Sequence, residues 1–111
     1  MAGYESLKNN RNFQNVYRMG KSYANKYLVM YIVENRTDIN RVGISVSKKV
    51  GNSIVRHRLT RLIRESVRLN GGKINTGYDI VIIARNGLCG KGFAETESAF
   101  LHLCKLHKIL R

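Results

Sequence analysis

The sequence predicts a single α+β domain, with helices packed on a sheet of about four strands in the order helix, strands, helix, strand, helix. Two observations point there. Apolar residues recur at i, i+3, i+4 in three segments, while short β-branched runs fill the spaces between them. The chain of 111 residues, with no proline and no Ser/Gly linker, has room for one core, so residues 1–111 read as one domain.

The first helix is written in "NRNFQNVYRMG". Phe13, Val16 and Tyr17 share one face, Asn10 suits the N-cap, and Gly20 suits the position just past the end. "KSYANKYLVMYIVEN" follows, rich in Tyr, Val and Ile, and reads as strand in two pieces bent near Asn25. "RTDIN" is a turn. "RVGISVS" alternates Val42, Ile44 and Val46 against Gly43, Ser45 and Ser47, the period of a half-buried strand. With the preceding strand it is expected to form an antiparallel hairpin. A long helix starts from a cap at Asn52 or Ser53 and runs to about Asn70, where "NGG" stops it. "YDIVIIA", Tyr78 to Ala84, is apolar without alternation and so is expected at the centre of the sheet. After the loop "RNGLCGKG", the last helix lies in "FAETESAFLHLCKLHKIL". Phe93, Phe100, Leu101, Leu103, Cys104 and Leu106 to Leu110 are its expected core contacts, and Glu95 and Glu97 stand near its positive N-terminal end.

The charge is the unusual feature. Net charge is +13, while 43% of residues are hydrophobic, so the chain can fold yet repels itself when compact. Such a protein calls for a polyanionic partner. The first twenty residues carry charges and asparagines with no apolar core of a signal peptide, and "YLVMYIV" is too short to span a bilayer. A cytoplasmic protein with Cys89 and Cys104 as free thiols is expected.

The cations concentrate in "KKVGNSIVRHRLTRLIRE", with six Lys and Arg against the single carboxylate of Glu65. On a wheel of about 100° per residue, Val55, Leu59, Leu62 and Ser66 form the stripe expected to face the sheet, with Ile63 and Leu69 beside it. His57, Arg61, Arg64 and Arg68 fall opposite, and Arg56 and Arg58 lie on the flanks. A merely solvated face mixes signs through i,i+4 pairs, and lysine would serve solubility as well as arginine. A run of guanidinium forks along roughly 27 Å of helix instead fits a structured polyanion. Helix-turn-helix, zinc and zipper patterns are absent from the sequence, which favours RNA over sequence-specific DNA. Phe13, Tyr17, Tyr23, Tyr27, Tyr31 and Tyr78 are candidate stacking platforms for unpaired bases. A general or ribosomal RNA-binding protein would share this composition. An anionic-membrane binder fits less well, because the basic helix spends its apolar face on the domain's own core.

Other chemistries find little support. Cys89, His102, Cys104 and His107 match no zinc spacing. "GLCGKG" is neither a dinucleotide fingerprint nor a Walker loop. Seven scattered carboxylates offer no acid/base pair, so no catalytic residue and no metal ligand is assigned.

"VGISVSKKVGNSIVRHRLTRLIRE" resembles the signature of the bacterial ribonuclease P protein subunit. There a strand ending in Ser-Lys-Lys passes through a glycine turn into a helix carrying an Arg-Asn-Arg triplet. The upstream "LKNNRNFQNVYRMGKSYANKYLVMYIV", the strand "YDIVIIAR" and the last helix are similar to the family as well, so the resemblance covers nearly the whole chain. Two positions depart from it: the triplet reads Arg56-His57-Arg58, and Thr60 stands where a basic residue is common. The resemblance implies a left-handed β-α-β crossover around the basic helix. It implies a role in removing the 5′ leader of precursor tRNA, with catalysis by an RNA subunit that holds Mg2+. Contacts to that RNA map to Lys48, Lys49, Asn52, Arg56, His57, Arg58, Arg61, Arg64 and Arg68. A leader-binding cleft maps to Phe13, Tyr17 and Tyr31. No protein partner and no membrane are implied.

Overall fold

The computed structural model describes residues 4–111 as a five-stranded sheet with helices on both faces. In chain order the elements are β1 (Tyr4–Ser6), α1 (Asn10–Met19), β2 (Lys21–Ala24), β3 (Leu28–Glu34), β4 (Asn40–Ser45), α2 (Ser53–Asn70), β5 (Tyr78–Ala84) and α3 (Phe93–Leu106). The sheet order is β1-β4-β5-β3-β2. β5 runs parallel to β4 and antiparallel to β3, as its two-sided apolar composition requires of a central strand.

That order corrects two expectations. β3 and β4 are not a hairpin, because β5 inserts between them. The segment joining them bridges roughly 10 Å, two strand spacings. It is held by Asn35, whose side-chain nitrogen donates to the Ile39 carbonyl at 3.1 Å and to Asp79 Oδ1 at 3.0 Å. The sheet also has five strands rather than four. β1 is a three-residue edge strand parallel to β4, too short to show any period in the sequence. Adjacent parallel strands β4 and β5 joined through α2 form the β-α-β unit.

The strands alternate between two cores. Ile44, Ile82 and Met30 lie in register across the sheet and face α2 and α3, as do Val42, Ile80 and Ile32. With Leu59, Ile63, Phe100 and Leu103 they form the main core. The opposite face holds a smaller core of Leu7, Val16 and Val81 under α1. The buried stripe of α2 is Leu59, Ile63, Ser66, Val67 and Asn70, turned by about 50° from the expected one, while Leu69 is 52% exposed and Leu62 only half-buried. The cause is α3, which packs along α2 and draws its inner face away from the sheet normal. Asn70 seals that contact, donating to Glu97 Oε2 at 2.9 Å.

Helix ends follow side-chain chemistry. Asn52 Oδ1 accepts from the Val55 amide at 3.0 Å, the expected cap. α1 is capped by Asn9, one residue earlier than expected, through the Asn12 amide at 2.9 Å. Gly20 does follow α1, in extended rather than left-handed backbone; a Cβ there would lie 2.5 Å from the Val16 carbonyl. The bend near Asn25 is present. Asn25 Oδ1 accepts from the Tyr27 and Leu28 amides, and its Nδ2 donates to the Ala99 carbonyl at 3.0 Å, tying the β2–β3 turn to α3.

The polypeptide after α3 folds back on the sheet. His107 Nε2 lies 2.9 Å from the Met30 carbonyl and its ring meets Tyr23 edge-on at 4.7 Å. Burial lowers the imidazole pKa from its ordinary 6.5; the Met30 hydrogen bond opposes this and Lys21 adds to it. The unfolded chain therefore takes up this proton more readily than the native one, and stability falls as pH drops through and below 6.5. His107→Gln should shrink the loss of urea midpoint between pH 7.5 and pH 5.5; an unchanged loss would assign it wholly to other groups.

Candidate nucleic-acid interface

Two surfaces meet across β4. On the α1 side, Gly43, Val81 and Tyr31 stand in one row across β4, β5 and β3. α1 lies over that row. Val16 is fully buried against it, and the Tyr17 ring meets Tyr31 edge-on at 5.1 Å. The Phe13 ring lies over Gly43, where a Cβ would come within 2.4 Å of its tip. Phe13 and Tyr17 are 6.4 Å apart. Phe13, Tyr17 and Tyr31 are thus brought together, each half-buried with part of its ring reaching solvent. The Tyr17 phenol is pushed up chiefly by burial, with the Ser45 hydroxyl pulling the other way, so it stays a neutral donor at ordinary pH. Tyr23, Tyr27 and Tyr78 lie on the other side, against the main core, and take no part in this cleft.

On the α2 side, the helix has a crest and two flanks. Arg61 forms the crest and lines both grooves beside it. One groove, of about 550 Å³, lies between α2 and the end of β4 and is lined by Ile44, Val46, Arg56, His57, Thr60, Arg61 and Arg64. The other, of about 520 Å³, lies toward the start of α3. His57, Arg58, Arg61, Arg64 and Arg68 are exposed and Arg56 is half-buried, which matches the two flanks and outer face expected of them. Lys48 and Lys49 are exposed in the turn that leads from β4 to the helix.

Not every cation is unengaged. Arg68 is paired with Glu65, through Nε to Oε2 at 3.2 Å and a shorter contact to Oε1, and this pairing holds the Glu65 carboxyl below its ordinary value. Arg58 donates to the Lys91 carbonyl at 2.8 Å, clamping the β5–α3 loop to α2. Asn52 gives its side-chain oxygen to the helix cap, so a ligand would meet its amide hydrogens. The cation most involved in the fold was not singled out in the sequence. Arg41 grips buried Asp79 with Nε–Oδ1 2.8 Å and Nη2–Oδ2 2.6 Å.

Cys89, His102, Cys104 and His107 each have their own surroundings. Cys104 is buried in the main core, its thiol pushed up to about 12 by desolvation; His107 sits on Met30, His102 Nδ1 is 3.1 Å from Asn25 Nδ2, and Cys89 Sγ lies 3.7 Å from the Val50 carbonyl. The sequence reading missed Gly43 and Ser45 as parts of the cleft. Their signal was present: small residues alternating with apolar ones leave one strand face open to receive rings.

An α+β domain with an arginine helix on one side of a strand and an aromatic cluster on the other has the build of a nucleic-acid-binding protein. Comparison with known proteins narrows this. The Ribonuclease P family model matches residues 1–108. The ribonuclease P protein component of Lachnoclostridium phytofermentans is 65% identical over 106 residues, covering 96% of this chain and 91% of that protein. The fold is similar to that of the RNase P protein of Staphylococcus aureus (TM-score 0.88, 34% identity, 96% and 97% of the two chains). It is similar also to the RNase P protein of Thermotoga maritima (TM-score 0.85, 36% identity, 92% and 96%). The chain belongs to the ribonuclease P protein family. It is a protein subunit of that RNA-based endoribonuclease, partners the ribonuclease P RNA, and serves in maturing tRNA 5′ ends.

Gly43→Ala checks the geometry of the cleft. The added methyl meets the Phe13 ring, and such overpacking costs about 1–3 kcal/mol. A lowered urea midpoint with unchanged circular dichroism is expected. Wild-type stability would mean that Phe13 does not rest on Gly43.

Proposed function

We propose that the two surfaces divide the work of the holoenzyme: the α2 face binds the catalytic RNA, and the α1 cleft binds the single-stranded 5′ leader of precursor tRNA. The observation that carries this is the shared strand. Gly43 and Ser45 of β4 belong to the cleft, while Ile44 and Val46 line the arginine groove on its other face. One polyanion held on each side is thereby kept within a strand's thickness of the other. A catalytic RNA and a precursor tRNA repel one another. A subunit of net charge +13 between them lowers that repulsion and the concentration of Mg2+ needed to offset it.

On the α2 side, Lys48, Lys49, Arg56, Arg58, Arg61 and Arg64 meet phosphates, with Asn52, His57 and Arg68 at the margins of the contact. In the cleft, Phe13, Tyr17 and Tyr31 offer ring faces and edges to unpaired bases, a contact indifferent to sequence because every base has a π-face. Mg2+ chemistry resides in the RNA. Among the described residues no three His, Cys, Asp or Glu side chains gather where they could hold a metal ion. The protein acts in the cytoplasm without a second protein, and among its described residues no helix is long and apolar enough to cross a membrane. The direct test adds the protein to a bacterial ribonuclease P RNA at low Mg2+ and follows leader removal. Rescue of cleavage is expected, and protein alone should be inactive. Failure to rescue, with binding demonstrated, would refute the proposal.

Two further outcomes separate the surfaces. If about five motif cations meet phosphates, log K for the catalytic RNA should fall with log salt at a slope of about −3.5 to −4.5, and Arg64→Ala should flatten it by roughly one unit. A slope near zero rules out the electrostatic contact.

Tyr17→Ala should weaken holoenzyme binding of precursor tRNA by roughly five- to a hundred-fold, the range set by one stacked base, and leave mature tRNA unchanged. Equal weakening of both tRNAs in a folded variant would make Tyr17 a packing residue.

A further inference from the structure

Among the described residues, Phe93 is the one Phe or Tyr that packs against neither core. Six tyrosines and the other two phenylalanines all join the main core or the α1 core, as members or as partly buried neighbours. The sequence pattern assigns Phe93 to the core as the first apolar residue of α3. The structure leaves it half-buried at the start of α3, facing α2 across the groove of about 520 Å³ lined also by Arg58, Arg61, Leu62 and Glu65. The backbone before it is anchored: Arg58 donates to the Lys91 carbonyl two residues earlier at 2.8 Å, and the Gly92 amide donates to Glu95 Oε1 at 3.1 Å.

Each wall of this groove has a chemical property that one kind of ligand uses. Phe93 and Leu62 give apolar surface. Arg58 and Arg61 stand at the rim, where the phosphates flanking such a ring would lie. Glu65 is the sole carboxylate of α2. On a surface that meets phosphates a carboxylate is a liability, and its pairing with Arg68 fixes it in place without removing its capacity to accept further hydrogen bonds. We propose that this groove receives one unpaired nucleobase of the partner RNA, stacked on Phe93 between Arg58 and Arg61, with Glu65 accepting from an exocyclic amine of the base. The proposal rests on the α2 face being the RNA-binding surface. It adds a residue outside the basic motif and a base preference: adenine, cytosine and guanine carry such an amine, and uracil does not.

The chain contains no tryptophan, so Phe93→Trp places a single reporter in the groove. Its fluorescence should be quenched when bacterial ribonuclease P RNA binds. Phe93→Leu should weaken that RNA by roughly five- to a hundred-fold, the loss of one stacked base, with circular dichroism unchanged because the residue lies outside both cores. Arg61→Ala, run in parallel, tests the underlying surface. If Arg61→Ala weakens binding while Phe93→Leu does not and Phe93→Trp stays bright, the stacking site is overturned and the RNA-binding face stands. If neither substitution weakens binding, the face itself is wrong. Short oligocytidine should bind wild-type protein more tightly than oligouridine, and Glu65→Gln should erase the difference. Equal binding of the two by wild type would overturn the part given to Glu65.

Discussion

Everything in this fold follows from a strand that must be covered twice. Residues 79–82 of β5 are buried on both faces, with Val81 and Ile82 fully so. Helices must therefore lie on both sides of the sheet. Two of them, α2 and α3, pack side by side over one face and close it into the main core. A single ten-residue helix covers the other. One short helix cannot roof five strands, and the remainder of that face is where Phe13, Tyr17 and Tyr31 reach solvent. The aromatic cluster thus sits beside the uncovered part of a sheet whose centre had to be covered.

The basic surface has a matching origin. α2 uses one flank on the sheet and another on α3, and its arginines collect on the solvent face that is left. Charge of one sign along such a face repels itself in the free protein and gains most where a ligand's phosphates are dense. One backbone carbonyl and one carboxylate hold two of these arginines. Arg58 and Arg68 are anchored by Lys91 and Glu65, while Arg61 and Arg64 project between them. The buried carboxylate of Asp79 shows the opposite logic. Arg41 is tied to Asp79 and Asn35 braces the same carboxylate, so a buried charge meets its full set of partners.

Helix and strand identities were legible because each has a strong local period: α1, α2, α3 and β3 to β5 lie where the apolar spacing puts them. Pairing was not legible. A hairpin between β3 and β4 is the local choice, and only the competition of β5 for the centre excludes it, a comparison between distant segments that no window of sequence contains. β1 is three residues long and owes its existence to the edge of β4. The rotation of the α2 stripe depended on where α3 would lie. At the sites, arginine positions could be read because exposure follows from the wheel. The assembly of Phe13, Tyr17 and Tyr31 came from family resemblance rather than from spacing, since nothing in the sequence says that a helix and a strand apart in the chain share a face. Phe93 was misassigned because an apolar residue opening a helix has the same signature whether it faces a core or a groove.

β4 has a consequence for how this sequence can change. Gly43 and Ser45 face the aromatic cluster, Val42 and Ile44 face the core and the arginine groove, and Lys48 and Lys49 follow within four residues of its end. A substitution alters one of these at a time. A deletion or insertion of one residue within the strand turns every later side chain to the opposite face. Ile44 would then stand where Phe13 needs glycine, and the lysines would leave their turn. Length in this stretch is therefore inherited as a unit, while the connection before it can lengthen at the modest entropic cost of a longer loop.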